Sequence, residues 1–323
     1  MANFLSRGSC TYWNIIKAGL FAILISSCEK EIKLNLPPAN SKLVVEGFIE
    51  RDMPPFVILT KSIPYYDTIN INTFTNAIVK DAIVSVEADG QVYNLSLICL
   101  SQLPTNLQEQ VKGYLGGMIY GSDFCVYTDL TGSIKGVEGK KYTLRIRYNN
   151  KEYTAQSTLL TRVPIKEVFA RYDTSKRYAL AGFIFTDPPG YGDAYRWMYQ
   201  RINKGSDGKP LDKGLTEPYF SMINDAGFDG KQIEIVFGKT GDGNSLNDRN
   251  AIFFKKGDTI IIKFIRMEYD VYEVLHLYDY QRSSQMGGPF SRPIRISSNI
   301  KGNDDVLGYW GAFTYVLDTL FIQ

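Results

Sequence analysis

The sequence predicts a mainly β protein. An N-terminal immunoglobulin-like β-sandwich is expected over 41–160, followed over 165–323 by a second β-rich domain, barrel- or sandwich-like, with one long helix. Two observations carry this prediction. Short alternating or β-branched segments are separated by turn dipeptides, and 267–285 repeats apolar residues at spacings of three and four. With 44% hydrophobic and 13% aromatic residues, the chain can form real cores.

The first domain is expected to begin with strands at 42–50 and 56–60. Its clearest hairpin lies at 84–95, where alternating residues flank Asp89-Gly90, a dipeptide suited to a type I′ turn because both central residues need positive φ. Segment 142–148 also alternates, and Asn149-Asn150 turns it into the next strand. Many short strands with such turns are typical of a β-sandwich.

The boundary between the domains is placed at 159–166, which contains Pro164 and lacks alternation. Beyond it the pattern predicts strands at 179–186, 194–202, 232–237, 259–265, 293–297 and 313–321. The helix predicted over 267–285 would bury one apolar stripe, and the glycines and proline at 287–289 would end it.

The amino terminus reads as an export signal. Arg7 and Lys17 precede an apolar run at 18–25, too short to span a bilayer, and small residues follow. Residues 25–28 (ISSC) resemble the lipobox of bacterial lipoproteins, which implies removal of 1–27 and acylation of Cys28, followed by a lipidated tether over 28–40. The alternatives are an ordinary signal peptide or a buried helix beside a chance cysteine.

The lipid on Cys28 would hold the protein at the outer membrane. Residues 29–31 (EKE) are similar to the signal that sends Bacteroidota lipoproteins to the cell surface, which favours that location; a solvated charged tether, with the protein on the periplasmic leaflet, is the alternative. Two cysteines would remain after processing, Cys99 and Cys125. In an oxidising compartment they form either a disulfide or two buried free thiols.

Charge and histidine content exclude several classes of function. The chain has 36 basic and 34 acidic residues, and two of the basic residues lie in the predicted signal, so the mature protein is neutral. This balance argues against nucleic-acid binding. The single histidine, His276, weighs against histidine triads and multi-histidine metal sites. We therefore expect no cofactor, no metal and no catalytic residue, although carboxylate chemistry stays open.

Three stretches are candidate ligand or partner surfaces. The loop 187–193 carries Asp187 and Asp193 with prolines, glycines and a tyrosine, which suits a sugar or a cation; alternatively the two aspartates only cap a turn. Loop 241–248 offers oxygen ligands like a calcium loop but lacks its closing glutamate, so a solvated turn is the better interpretation.

The third stretch is 290–311. Asn299 and Trp310 would present a polar and aromatic surface to a partner or a glycan. In the alternative interpretation Asn299 bonds backbone in a turn, Gly302 takes positive φ, and Trp310 fills the second core.

The same region carries a family resemblance. Motifs at 288–293 (GPFSRP), 296–302 (ISSNIKG) and 308–313 (GYWGAF) resemble the closing signature of a Bacteroidota lipoprotein family, domain of unknown function DUF4249. Shorter motifs agree in order along the chain, at 43–47 (LVVEG), 76–77 (NA), 139–144 (GKKYTL) and 228–231 (FDGK). The approach to the last motif, 302–308 (GNDDVLG), is longer and more acidic than the family's.

The resemblance implies a location and a partner rather than an activity, because the family has no established activity. Its members are often encoded beside TonB-dependent receptors. The expectation is therefore a non-enzymatic accessory lipoprotein that works with such a receptor in uptake or surface assembly. Two alternatives remain: a free-standing glycan-binding or adhesive module, and a surface hydrolase that uses Asp187 or Asp193. The ligand considered is a glycan or a peptide.

Overall fold

The computed structural model describes residues 41–63, 76–103, 124–205, 208–240, 250–284, 297–302 and 306–323, together with residues 73, 105 and 108. Residues from Ser41 onward form one compact unit. The predicted signal, Cys28, the tether and the loop 241–248 lie outside the described residues. No helix within the described ranges is long and apolar enough to cross a membrane.

The predicted strand 293–297 lies outside the described residues except for Ser297, and six observed strands, at 96–99, 125–128, 165–172, 222–224, 254–255 and 301–302, are additional to the prediction. The other strands lie where the sequence predicts them, so the described residues contain 17 strands in all. They are β1 (Leu43–Glu50), β2 (Phe56–Lys61), β3 (Ile83–Ala88), β4 (Gln91–Asn94), β5 (Ser96–Cys99), β6 (Cys125–Thr128), β7 (Lys141–Tyr148), β8 (Lys151–Thr158), β9 (Ile165–Tyr172), β10 (Tyr178–Thr186), β11 (Asp193–Arg201), β12 (Met222–Asn224), β13 (Gln232–Phe237), β14 (Phe254–Lys255), β15 (Thr259–Glu268), β16 (Lys301–Gly302) and β17 (Leu307–Phe321). Helix α1 (Tyr269–Ser284) lies between β15 and β16.

These strands form three sheets. The largest has the order β12-β11-β15-β17-β1-β2-β6-β5, the second β16-β8-β7-β3-β4, and the third β13-β10-β14 with β9 also paired to β10. The predicted mainly-β, sandwich-like fold is confirmed. Among the described residues none of the sheets closes into a barrel.

The predicted turn chemistry is confirmed at two hairpins. Asp89 and Gly90 have φ of 51° and 78°, so both central residues adopt the left-handed conformation that a type I′ turn requires. Asn149 and Asn150, with φ of 50° and 59°, connect β7 to β8 in the same way. Local sequence determines both turns because asparagine, aspartate and glycine tolerate positive φ better than other residues.

Two large hydrophobic clusters lie on either side of the predicted boundary. The first takes inward residues of 43–159 and the second begins at Val163. Strand β17 contributes to both, with Trp310 in the first and Leu320 in the second. The long strand therefore continues the largest sheet across the boundary.

The first and last strands of the unit are neighbours. β1 pairs in parallel with β17, so that Val45 faces Gly308 and Gly47 faces Trp310. A Cβ atom on Gly47 would lie 2.9 Å from the Trp310 ring, so glycine is needed for the indole to pack against the sheet. The motifs at 43–47 and 308–313, far apart in sequence, thus form one structural element.

The helix prediction needs a small correction at its start. Met267 and Glu268 belong to β15, where they pair with Ala194 and Asp193. The helix begins only at Tyr269, whose N–H donates to the Gly192 carbonyl over 2.9 Å. Sheet pairing extends the strand by two residues because β11 supplies partners that the helical pattern cannot reveal.

Helix α1 covers the face of the large sheet opposite the first core. Val271 and Val274 are buried, and the apolar cluster beneath the helix includes Met267 and Phe313. The stripe narrows toward the end of the helix, where Tyr278 is 42% exposed. Packing against the sheet, rather than the helix alone, therefore stabilises this element.

Candidate functional site

The two aspartates of loop 187–193 converge on a third. Asp187 follows β10, Asp193 opens β11, and Asp225 follows β12. One carboxylate oxygen of each lies within 4.8 Å of the other two. The three residues are buried, with exposures of 1%, 5% and 2%. We call this group the aspartate cluster.

Each carboxylate of the aspartate cluster receives hydrogen bonds from the protein itself. Asp187 accepts from the Tyr195 hydroxyl at 2.5 Å and from the Gly230 N–H at 2.8 Å. Asp225 accepts from the N–H groups of Gly192 at 2.8 Å and Asp193 at 3.0 Å. The oxygens are therefore used to hold two loops together.

Arg266 is the cation that faces the cluster. Its guanidinium donates to Asp193 Oδ2 at 2.5 Å and to the Thr161 carbonyl at 2.7 Å. Thr161 lies in the segment predicted as the domain boundary, so this arginine ties that segment to the cluster. A buried ion pair of this kind is costly to break, because one partner would keep an uncompensated charge.

The environment raises the pKa of Asp193 and that of Tyr195, which bonds to the cluster. Burial raises the pKa of Asp193, the charges of Asp187 and Asp225 raise it further, and Arg266 opposes the shift. Burial and the hydrogen bond to Asp187 raise the pKa of the Tyr195 hydroxyl, which therefore remains a donor at physiological pH. The cluster is thus an acidic network that one arginine only partly compensates.

Three carboxylates are the residues here that could hold a metal ion. Calcium takes six to eight oxygen ligands, whereas the neighbours that contact these oxygens are N–H and O–H donors and a guanidinium. Donors point their hydrogens at the oxygens and so compete with a cation. The arrangement favours an internal structural network over a metal centre.

The structure does not place Asp187 and Asp193 on a surface, which is where the prediction of a ligand or partner site put them. Both side chains point into the protein, as the capping alternative anticipates in part. Asp225 was missed, because nothing nearby in sequence marks it as a partner of residues more than 30 positions away. The motif 228–231 gave an indirect signal: Asp229 accepts from the Gly190 N–H at 2.6 Å and Gly230 donates to Asp187.

Trp310 also lies inside rather than on a surface. Its side chain is fully buried in the first core, not in the second as the alternative interpretation had it, and its indole N–H donates to the Tyr142 carbonyl at 3.1 Å. The residue faces inward because Gly47 and the second sheet leave room for a large ring. In this structure the Trp310 side chain is therefore not exposed to a ligand or a partner.

The side chain of Asn299 bonds to the main chain of β17 at Trp310. Its amide donates to the Trp310 carbonyl at 2.8 Å and accepts from the Trp310 N–H at 3.0 Å. Gly302 is not among the residues with positive φ; instead, a Cβ atom there would overlap the Tyr153 ring. The motif 296–302 therefore fixes a close approach of β16 to β8.

A disulfide bond joins Cys99 and Cys125. The two residues are direct partners in the antiparallel pairing of β5 and β6, with Cα atoms 3.9 Å apart. The bond closes a segment of which 109–123 lies outside the described residues.

Asn299 and Lys301 open onto a groove of about 510 Å³, which we call the β8 groove. Its floor is the outer face of β7 and β8, including Arg145, Thr154 and Gln156. One end carries Glu268 and Asp270, where β15 passes into α1. Its lining is mostly polar, and both acidic and basic side chains reach it.

Glu46 is a carboxylate of a different kind, beneath helix α1. It faces Tyr309 across the β1–β17 pair, and no hydrogen bond or ion pair reaches it from the described residues. Burial raises its pKa. Burial together with the Glu46 charge raises the pKa of Tyr309 to about 12.

We expect Glu46→Gln to stabilise the protein at neutral and alkaline pH. Because the folded-state pKa lies above the ordinary 4.5, Glu46 contributes stability below pH 4.5 that is lost as the pH rises through the folded pKa. The variant should melt about 2–4 °C higher than the wild type at pH 8 and equally at pH 4. Glu87→Gln, which removes an exposed partner of Arg145, should show no such gain; a gain independent of pH would contradict the argument.

Comparison with known families agrees with the resemblance of the motifs. No match is found among curated proteins. A family model described as domain of unknown function DUF4249 matches residues 29–317, and so includes the aspartate cluster, the β8 groove and most of β17. Since that match covers most of the sequence, the chain belongs to the DUF4249 family.

Proposed function

We propose that the protein is a lipid-anchored accessory protein of the outer membrane, exposed at the cell surface. It acts without catalysis, binding a ligand or partner in concert with a TonB-dependent receptor. The lipobox-like sequence at 25–28 supports the anchor. The resemblance to a family whose members are often encoded beside TonB-dependent receptors supports a partnership with such a receptor.

The observation that carries a binding role is the β8 groove. Two strands of a sheet form its floor, so its shape is held by main-chain pairing rather than by a loop. Lys141, Lys301 and Asp270 are exposed there and have no ion-pair partner among the described residues. Charged groups on a rigid concave surface are what a polar ligand requires.

The carboxylates argue for a structural role in place of catalysis. A general acid or base must reach the proton of a substrate at hydrogen-bond distance. Asp187 and Asp193 are almost fully buried and already bond to Tyr195, Gly230 and Arg266. Hydrolysis by these residues would require the network to open.

Glycan binding is a second candidate because of one exposed aromatic pair. Tyr219 and Phe220 are 78% and 57% exposed, and the Phe220 ring packs edge-on against Trp197 at 5.3 Å. A supported ring with a free face suits sugar stacking. If this candidate holds, a glycan array will show binding that Phe220→Ala abolishes and Lys301→Ala leaves intact.

The test of the main proposal is purification of the tagged full chain in mild detergent, followed by mass spectrometry. We expect a stoichiometric TonB-dependent receptor and an acylated Cys28. The pair Lys301→Ala and Asp270→Asn should reduce recovery of the receptor, whereas Lys256→Ala and Asp81→Asn, outside the groove, should not. A lipoprotein that elutes alone would contradict the partnership, and a purified chain whose Cys28 carries no acyl group would contradict the anchor.

A further inference from the structure

The β8 groove lies along an incompletely paired strand edge. Strand β8 pairs with β7 over its whole length, but on its other side β16 pairs only with Tyr153 and Thr154. The residues that precede β16 turn away from β8, because Asn299 bonds to Trp310 instead. The edge of β8 from Ala155 to Thr158 therefore faces the groove.

Strand geometry shows which main-chain groups point there. In an antiparallel ladder, successive residues direct N–H and C=O to alternate sides. Leu159 bonds toward β7, through Lys140 at 2.9 Å, so Thr158, Gln156 and Thr154 point to the open edge. Thr158 N–H donates to Glu268 at 2.8 Å and Thr154 faces Lys301.

Gln156 is the position between these two that stays open. No group in the described part of the chain bonds to its main-chain N–H or C=O at this edge. An unpaired edge is a template for another extended segment. A strand added here would continue β16 in line, antiparallel to β8, and would exchange two hydrogen bonds with Gln156.

The charges give such a segment a direction. The negative charges of Glu268 and Asp270 lie at the Thr158 end. They are offset in part by the positive charge of Lys141, the β7 residue that pairs with Thr158. Lys301 and Arg145 lie at the Thr154 end, where Glu87 engages Arg145 at 2.7 Å. The groove is thus acidic at one end and basic at the other.

Antiparallel addition places the start of the incoming strand at the acidic end and its finish at the basic end. A free amino terminus would meet Asp270, and a free carboxylate would meet Lys301. The distance along β8 between the two ends is about 14 Å, the span of roughly four extended residues. Hydrogen bonding and charge therefore agree on one orientation.

We propose that the β8 groove binds short peptides of about four residues, in extended conformation, by their main chain and both free termini. This rests on the proposed function, in which the groove is the binding surface, and it names the ligand class. Recognition uses groups common to all peptides, so selectivity is for length and free ends more than for sequence.

The experiment uses the full chain in detergent and tetra-alanine with free termini as the probe, followed by calorimetry. We expect saturable binding that weakens about tenfold or more when either the amino end is acetylated or the carboxyl end is amidated. Asp270→Asn should cancel the effect of acetylation, and Lys301→Ala that of amidation. Equal binding of the free and doubly blocked peptides would overturn the proposal.

A second pair of variants tests the main-chain contact. Gln156→Pro removes the N–H at the open edge and leaves the hydrogen bonds between β7 and β8 in place, because proline is tolerated on an edge strand. Gln156→Ala keeps that N–H. The proline variant should lose binding about tenfold while the alanine variant retains it. Unchanged binding in the proline variant, at an unchanged melting temperature, would refute strand addition.

The two proposals fail in distinguishable ways. If the receptor co-purifies and depends on Lys301 and Asp270 but tetra-alanine does not bind, the peptide inference is wrong and the accessory role stands. If tetra-alanine binds and no receptor is recovered, the groove is a peptide site and the receptor partnership is wrong.

Discussion

Replacing Gly308 with alanine is expected to lower the free energy of unfolding by about 3 kcal/mol or more. Gly308 has φ of 97°, and a Cβ atom there would overlap the carbonyl oxygen of Val45. Neither atom can move aside without breaking the parallel pairing of β1 and β17. Denaturant unfolding measures the loss, and a lower midpoint with an unchanged slope is the expected result.

Gly139→Ala is the matched control for Gly308→Ala. Gly139 also has positive φ, 82°, but nothing lies within 4 Å of the added Cβ atom. The control carries only the backbone cost of about 1–2 kcal/mol, so the difference between the variants isolates the contact with Val45. Equal losses would show that the close approach of the two strands contributes nothing.

Replacing Arg266 with methionine is expected to lower the free energy of unfolding by about 3–5 kcal/mol at pH 7. The reason is that the aspartate cluster would lose the guanidinium that bonds to Asp193. Arg147→Met removes an exposed ion pair with Glu152 and should cost no more than about 1 kcal/mol. Thermal and denaturant unfolding of both variants measure the comparison.

The cost of Arg266→Met should also depend on pH with a definite sign. The folded-state pKa of Asp193 is already above its ordinary 3.8, so its contribution to stability is present below pH 3.8 and declines as the pH rises through the folded pKa. Loss of Arg266 raises that pKa further, and the deficit of the variant should shrink as the pH falls toward 4. A deficit constant from pH 4 to 8 would mean that Arg266 acts through packing alone.

The family motifs gain a physical meaning from these contacts. Motif 43–47 supplies the glycine under Trp310. Motif 228–231 supplies an acceptor, Asp229, and a donor, Gly230, to the loop at 187–193. Motif 296–302 anchors Trp310 and lines the groove. Residues of the motifs can therefore serve the fold, and four of them among the described residues, Lys141, Thr143, Asn299 and Lys301, also line the β8 groove.

The sequence by itself determined the mainly-β class, the turns at Asp89-Gly90 and Asn149-Asn150, and most of the long strands, because alternation and positive-φ residues act within a few positions. It did not predict β5, β6, β9, β12, β14 or β16. It also carried the family resemblance, through short motifs in a fixed order.

Tertiary structure alone decided where the marked residues lie. The pairing of β1 with β17 joins segments more than 250 residues apart, and it sends Trp310 into the first core. Burial of Asp187 and Asp193 depends on Asp225, which follows β12, and on Arg266, which lies on β15. The open edge at Gln156 exists because β16 begins only at Lys301, opposite Thr154, so that no residue of β16 reaches Gln156. No local pattern encodes such distant contacts, since side-chain type specifies what a residue can bond and only the fold specifies which partner it meets.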